Sequence, residues 1–216
     1  MGLLNPQKFE EPTSSSPAST HPRSNPASKG TSMTASSTPT TRVVTGEIRG
    51  SYCKLFKAEL NKNAKEGDIP KFGMTLLIPK TDTVTLAKIA AAQAAAAAIK
   101  WPAKLPPKLV STLHDGDEPR PSNGEDFGPE CKGHMVMAVQ SKFKPKVIDL
   151  DSNEIIDPTA VGSGDYFKVS LNFYGYDHTG KRGTAAGLNN VLFVRKGESL
   201  GGVTSAEDDF KEDLNQ

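Results

Sequence analysis

Between Tyr166 and Tyr176 the residue types alternate in a way that could do chemistry on a nucleic acid. Alternate residues of an extended strand share one face. Phe167, Val169, Leu171, Phe173 and Gly175 would form a core face. Tyr166, Lys168, Ser170, Asn172, Tyr174 and Tyr176 would form the other, with three rings, one cation and two hydrogen-bonding groups. Rings stack on bases and cations track phosphates, and in single-strand binders each stacked base is worth about 1–3 kcal/mol. Cross-strand tyrosine pairs on a solvated sheet would present the same pattern. Basic groups interleave with aromatics elsewhere too, which is the footprint of a nucleic-acid groove. Lys142, Lys144 and Lys146 bracket Phe143, Lys54 and Lys57 flank Phe56, Lys71 lies on the outward side of its strand, and Lys181 and Arg182 follow a turn. The candidate DNA contacts are therefore Tyr166, Lys168, Asn172, Tyr174, Tyr176, Lys181, Arg182, Lys142, Phe143, Lys144, Lys146, Lys54, Phe56 and Lys71.

A formal net charge of +1 over 216 residues looks unpromising for a DNA partner until its distribution is read. Residues 206–216 carry five acidic side chains and one basic, which leaves the rest of the chain net basic. The acidic end, Glu207, Asp208, Asp209, Phe210, Glu212 and Asp213, reads either as a solubilising terminus or as a partner-binding tail. A tethered anionic segment can also occupy a basic groove at high effective concentration and be released to protein partners when DNA binds.

Catalytic and metal readings find little support. His114-Asp115-Gly116-Asp117-Glu118 has the look of a metal loop but lacks the ligand series of a calcium site. Cys131 and His134 offer two zinc ligands where a structural site needs four. Gly162-Ser163-Gly164-Asp165 has neither the lysine of a phosphate-binding loop nor dinucleotide spacing, and no nucleophile elbow occurs. The expectation is a non-enzymatic protein without metal or cofactor. Cys53 and Cys131 make no disulfide framework and suit a reducing compartment. No apolar run is long enough for a membrane helix, and no secretory signal opens the chain, so no membrane partner is expected.

These residues must be positioned by a mainly β domain. Hydrophobic content is only 36%, and the deficit falls in a Ser/Thr/Pro-rich head that cannot bury enough surface to order itself. Three regions follow: a disordered head at 1–42, a folded domain at 43–202 and an acidic flexible tail at 203–216. A long bent strand is expected from Val43 to Phe56, then a loop from Lys57 to Asp68. Lys71 to Ile78 alternates, with Phe72, Met74, Leu76 and Ile78 on one side and Leu77 as an exception on the other. Thr81 or Asp82 caps a helix over Thr83 to about Lys100, rich in alanine and stopped by Trp101-Pro102. Pro102 to Glu130 reads as a long irregular connection. Strands are expected at Gly133–Ser141, Val147–Ile148, Ile155–Ile156 and Asp165–Tyr176. After a turn at Asp177–Gly180, two more run through Thr184–Ala185 and Leu188–Val194. The fold class is an OB-like Greek-key β-barrel of five to six strands with one inserted Ala-rich helix; a sandwich would fit the pattern as well.

Several segments together resemble a known family. They are Thr45-Gly46-Glu47-Ile48-Arg49, Leu77-Ile78-Pro79-Lys80 with its capped helix, and Asp115-Gly116-Asp117-Glu118 followed by Arg120-Pro121. Asn172-Phe173-Tyr174, Gly187-Leu188-Asn189-Asn190, Gly197-Glu198-Ser199-Leu200-Gly201-Gly202 and Asp208-Asp209-Phe210 complete the set. In order and spacing, from Val43 to Asp213, the chain looks like the tailed-phage single-stranded-DNA-binding proteins with an OB-fold. The resemblance implies DNA binding without sequence readout, no cofactor, and a role in phage replication and recombination in the cytoplasm of an infected bacterium. It also implies replication or recombination proteins as partners of the acidic tail. Two departures stand out: the head is not part of the family pattern, and Phe210 is not the terminal residue. Duplex DNA as a second partner and homo-oligomerisation stay open. So do three other readings: a general coating or strand-annealing protein, a phage structural protein without DNA, and a metal-dependent nuclease using Asp115 and Asp117.

Overall fold

The computed structural model describes residues 40–60, 64–178 and 180–200. The chain divides into residues 1–36 and 37–216, and everything below concerns the second unit. The head up to residue 39 and the acidic tail lie outside the described residues.

Two strands, β1 (Arg42–Val44) and β2 (Ile48–Glu59), stand where one was expected. The break falls where Thr45 turns inward. Its hydroxyl accepts from the Val169 amide at 2.9 Å and donates to the Gly46 carbonyl at 2.8 Å, serving backbone groups that a continuous ladder would have used. β2 runs further than expected, to Glu59, which pairs with Lys71 and reaches back to Lys54 at 2.9 Å. On β3 (Lys71–Pro79), Met74, Leu76 and Ile78 point into the core, as the alternation predicts.

Helix α1 spans Thr83–Lys100, and the Asp82 carboxylate caps it by accepting from the Thr85 amide at 3.0 Å. Its alanines have a packing role beyond their propensity. Ile89, Ala92 and Ala96 join the barrel core, and the helix packs on β1 and on the two late strands at Tyr166–His178 and Lys181–Arg195. Close approach is needed at both ends. A Cβ on Gly46 would stand 2.6 Å from the Asp82 carboxylate, and one on Gly175 would stand 2.5 Å from Cβ of Lys100. Larger side chains along this seam would lift the helix off the barrel.

The long connection contains a short strand, β4 (Leu113–Asp115), and a single 3-10 turn at Pro129–Cys131. β5 (His134–Ser141) and β6 (Lys146–Ile148) follow. The strand expected at Ile155–Ile156 shrinks to one bridge, Ile148 to Glu154. β7 (Tyr166–His178) and β8 (Lys181–Arg195) form a long hairpin, and Gly180 adopts φ +77° at its turn. The two expected return strands are one, because Ala186 and Gly187 between them pair in register with Phe173 and Asn172; the register slips, at Asn189 and Val194, fall further along β8.

Neighbouring strands run β7-β2-β3-β5-β8, and β8 pairs with β7 to close the ring. Every junction is antiparallel except β5 with β8. This is an OB-like barrel of five long strands with one helix inserted between β3 and β5, and β1, β4 and β6 are three-residue additions. Ile48, Leu76, Ile78, Met137, Phe167, Val169, Leu171 and Phe173 fill it at 1% exposure or less. Each such side chain contributes roughly 1.5–3 kcal/mol by leaving water.

Candidate nucleic-acid interface

The outer faces of β2, β3 and β5 form an open groove. Its shape begins with a bulge. Ser51 pairs with Thr75 and Lys54 with Gly73, so β2 carries one extra residue there. Tyr52 absorbs it in the left-handed region, at φ +49°, a conformation that bulky residues rarely adopt. Its ring is 63% exposed and lines the groove. The cleft has a volume of about 430 Å³ and is bordered by Tyr52, Lys54, Lys71, Thr75, Arg120 and Gln140, among others. It adjoins a hollow of about 390 Å³, where Lys71 meets Lys142 and Ile69. Glu59 and Asp68 are the acids on these two surfaces. The hydrogen bond and charge of Lys54 hold the Glu59 carboxyl below its ordinary pKa.

Arg120 reaches the groove from the long connection. Its guanidinium lies 4.9 Å from the centre of the Phe127 ring, and its Nε is shielded from solvent with no hydrogen-bond partner among the described residues. The same connection explains the exception on β3. Leu77 points outward yet is fully buried, in a small second cluster with Cys131, Val136, Phe127 and Leu200.

The outer face of β7 is less open than its sequence suggests. Arg195 covers the Tyr166 ring at 3.5 Å and is itself held by Glu47 at 2.6 Å. Tyr166 is therefore not the free stacking surface expected of it. Ser170 is buried at 9% exposure, and Tyr176 packs beside Gly183. Lys168 is exposed, and Asn172, also exposed, accepts from the Thr41 hydroxyl at 3.0 Å. Tyr174 is 50% exposed and lies by Gly187, next to the β5 seam at Gln140.

The remaining candidates scatter. Lys54, Lys71 and Lys142 come together on the groove and its hollow. Phe143 is 83% exposed on the loop after β5. Phe56 is half-buried against the core, with the Lys144 ammonium 6.0 Å from the centre of its ring. Lys146 pairs with Glu154 at 3.3 Å, and Arg182 with Asp177 at 2.8 Å. Lys181 is exposed at the hairpin tip and shares a depression with Arg120. Sequence reasoning missed Tyr52, Arg120 and Gln140. Tyr52 had a signal, a ring two residues after Gly50 inside a strand pattern, where bulges occur, and Arg120 had one in the Arg120-Pro121 segment of the resemblance; Gln140 had none.

The acidic motif is engaged from outside. Lys80 contacts Asp115 at 2.5 Å and Asp117 at 2.6 Å, and Asp117 also accepts from the Gly133 amide at 3.0 Å. Lys80 holds both carboxyls below their ordinary pKa. Two of the recognised sequence segments thus meet as a clamp between the end of β3 and the connection. Another pair meets through Arg49, which donates to the Gly164 carbonyl at 3.0 Å and to the Glu198 carbonyl at 2.7 Å. Burial pushes the Cys53 thiol up to about 12 and Cys131 to about 11, so neither is a thiolate at neutral pH. Among the described residues no three His, Cys, Asp or Glu side chains converge on a metal position, and no helix is long and apolar enough to cross a membrane.

Known proteins share this architecture. The single-stranded DNA-binding protein of bacteriophage Enc34, solved in complex with ssDNA, superposes with a TM-score of 0.62 at 21% identity, covering 74% of this chain and 90% of its own. The single-stranded DNA-binding protein gp2.5 of bacteriophage T7 gives a TM-score of 0.50 at 17% identity, over 79% of this chain and 93% of its own. A curated relative, putative protein p50 of Acyrthosiphon pisum secondary endosymbiont phage 1, is 28% identical over 144 residues, which is 64% of this chain and 77% of the relative. At these identities the structural likeness speaks for the fold. The family model described as Enterobacter phage Enc34, ssDNA-binding protein matches residues 41–216. With most of its length inside that match, the chain belongs to the family of the Enterobacter phage Enc34 ssDNA-binding protein.

Proposed function

We propose that the protein binds single-stranded DNA without reading its sequence, along the outer groove of β2, β3 and β5. The carrying observation is the groove itself, an open cleft that combines the exposed Tyr52 ring with Lys54, Lys71 and Arg120. Tyr52 stacks a base, while the lysines and Arg120 take phosphates. A ring face accepts any base, which is why such contacts tolerate all sequences. Lys142 extends the path over the adjoining hollow, and Tyr174 stands near its Gln140 edge. Family membership supports the same reading. The protein acts by coating rather than by catalysis, during phage DNA replication and recombination inside the infected bacterial cell. Its acidic residues 203–216 compete for the groove and, once displaced by DNA, meet replication or recombination proteins.

The test is fluorescence anisotropy of labelled oligo-dT across a salt series, with duplex DNA as competitor. Three to five neutralised phosphates correspond to a log–log slope of about −2 to −3.5. Preference for the single strand with that slope supports the proposal. Equal affinity for duplex points to a general coating or annealing protein. Absence of salt-sensitive binding, with residues 203–216 present or deleted, sinks it.

A further inference from the structure

The groove ends at Arg120, and the surface beyond that side chain has a different character. A depression of about 670 Å³ opens between the long connection and the tip of the β7–β8 hairpin. Val110, Pro121 and Phe127 give it apolar walls. Three cations stand around it, Lys108, Arg120 and Lys181, and no carboxylate is among the described residues that line it. The groove and its hollow each contain an acid, so the depression is the most one-sidedly positive of the three. His114 is also in its wall, and burial holds this imidazole below its ordinary pKa, so it adds no charge at neutral pH.

The depression is also well held. The Val110 amide donates to the Arg182 carbonyl at 2.9 Å, and the Thr184 amide donates to the Val110 carbonyl at 3.1 Å. These bonds stitch the connection to the hairpin, and Lys108 and Lys181, one from each, line the same depression. Phe127 is anchored from below by the Leu77 cluster.

An apolar hollow ringed by cations fits a ligand with a flat apolar body and an anionic flank. A bare anion would leave the walls in water, and a neutral apolar ligand would leave three cations unused. A nucleotide of a single strand has both parts. We infer that the depression receives one base of the bound strand, seated against Phe127, Val110 and Pro121, while its flanking phosphates meet Lys108 and Lys181. Arg120 marks the point where the strand turns out of the groove. This rests on the groove being the DNA site and lengthens that site by one enclosed position.

The experiment uses the full chain and oligo-dT carrying one abasic position, moved along the strand, with affinity read by anisotropy. Ser122, exposed on the rim, is replaced in a Ser122→Trp variant that fills the depression without touching the groove. The wild-type protein should lose affinity at two separated abasic positions, one for Tyr52 and one for the depression. Ser122→Trp should bind intact oligo-dT about five- to tenfold more weakly, the low end of what one lost stacking contact costs, and should stop sensing the second position. Lys181→Ala, an exposed change that needs no repacking, should lower the salt slope by about 0.7, one phosphate. If the wild type binds but neither variant changes anything, the depression is not part of the path, and the groove reading stands without it. If Ser122→Trp binds more tightly, the occupant is the chain's own acidic segment 203–216, and the inference is overturned in its favour. If the wild type does not bind at all, it is the groove reading that has failed.

Discussion

The outer face of β7 and the outer face of β2–β3–β5 invert the impression their sequences make. On β7 the pattern is rich, with three tyrosines, a lysine and an asparagine at alternate positions. In the folded chain much of that equipment is in use: Arg195 covers Tyr166, Tyr176 packs at Gly183, and Asn172 bonds Thr41. The β2–β3–β5 face looks plain in sequence, yet it opens as a cleft with the exposed Tyr52 and three half-buried cations, of which Lys54 is paired with Glu59. Residue type supplies the means for binding, but availability depends on which neighbours already hold the side chain.

Tyr52→Ala should give the largest effect, a loss of about 1–3 kcal/mol in affinity for oligo-dT, roughly five- to 150-fold. Tyr166→Ala should leave affinity unchanged in the same titration. If the two tyrosines exchange these outcomes, the working face is β7 and the comparison is inverted. Next comes the salt dependence. Lys54→Ala and Lys71→Ala should each lower the log–log slope by about 0.7, whereas Lys168→Ala should leave it as it was. Tyr166→Ala should instead show in folding, by about 0.5–1 kcal/mol in urea denaturation, because an exposed cation–π contact is worth that much. A change in affinity without a change in the midpoint would contradict its structural role.

The smallest effect concerns acid stability. Lys80 depresses the carboxyls of Asp115 and Asp117 in the folded state, so the unfolded chain binds more protons between the folded and unfolded pKa values. Their contribution is present above the ordinary carboxylate range and is lost as pH falls through the depressed folded values. Lys80→Met should therefore flatten the acid limb of a thermal-melting profile. An unaltered limb would mean the clamp adds nothing to stability, and the outward groove should bind DNA equally well in either case.

Much of the barrel was legible because its signals are local. β7 and, Leu77 apart, β3 show alternation, and α1 has a cap, a run of helix formers and a proline stop. The site was legible only in part. Lys54, Lys71 and Lys142 could be proposed as outward cations, but that they share one surface follows from strand order, which no local pattern encodes. Tyr52 hid because its facing depends on one left-handed residue inside a bulge. Arg120 hid in a Pro-rich stretch that reads as irregular, and its position comes from Phe127 and the cluster beneath. Phe56 shows the reverse, since a ring between two lysines looks wholly exposed in sequence yet is half-buried against the core.

The parallel junction of β5 with β8 consists of a single register pair, Gln140 with Gly187, whereas β7 and β8 are laddered along their whole length. The ring is laddered along β2–β3, β3–β5 and β7–β8 and joined more lightly at two places, β5–β8 and β2–β7, the latter pairing only Ile48 with Phe167 and Arg49 with Tyr166. One of these light joints lies at the rim of the cleft, where Gln140 is part of the lining. On the proposed reading, a light joint at the rim would let the cleft wall yield to a purine or a pyrimidine alike. Indifference to sequence would then be a mechanical property, a matter of compliance in the wall as much as of chemistry on its surface.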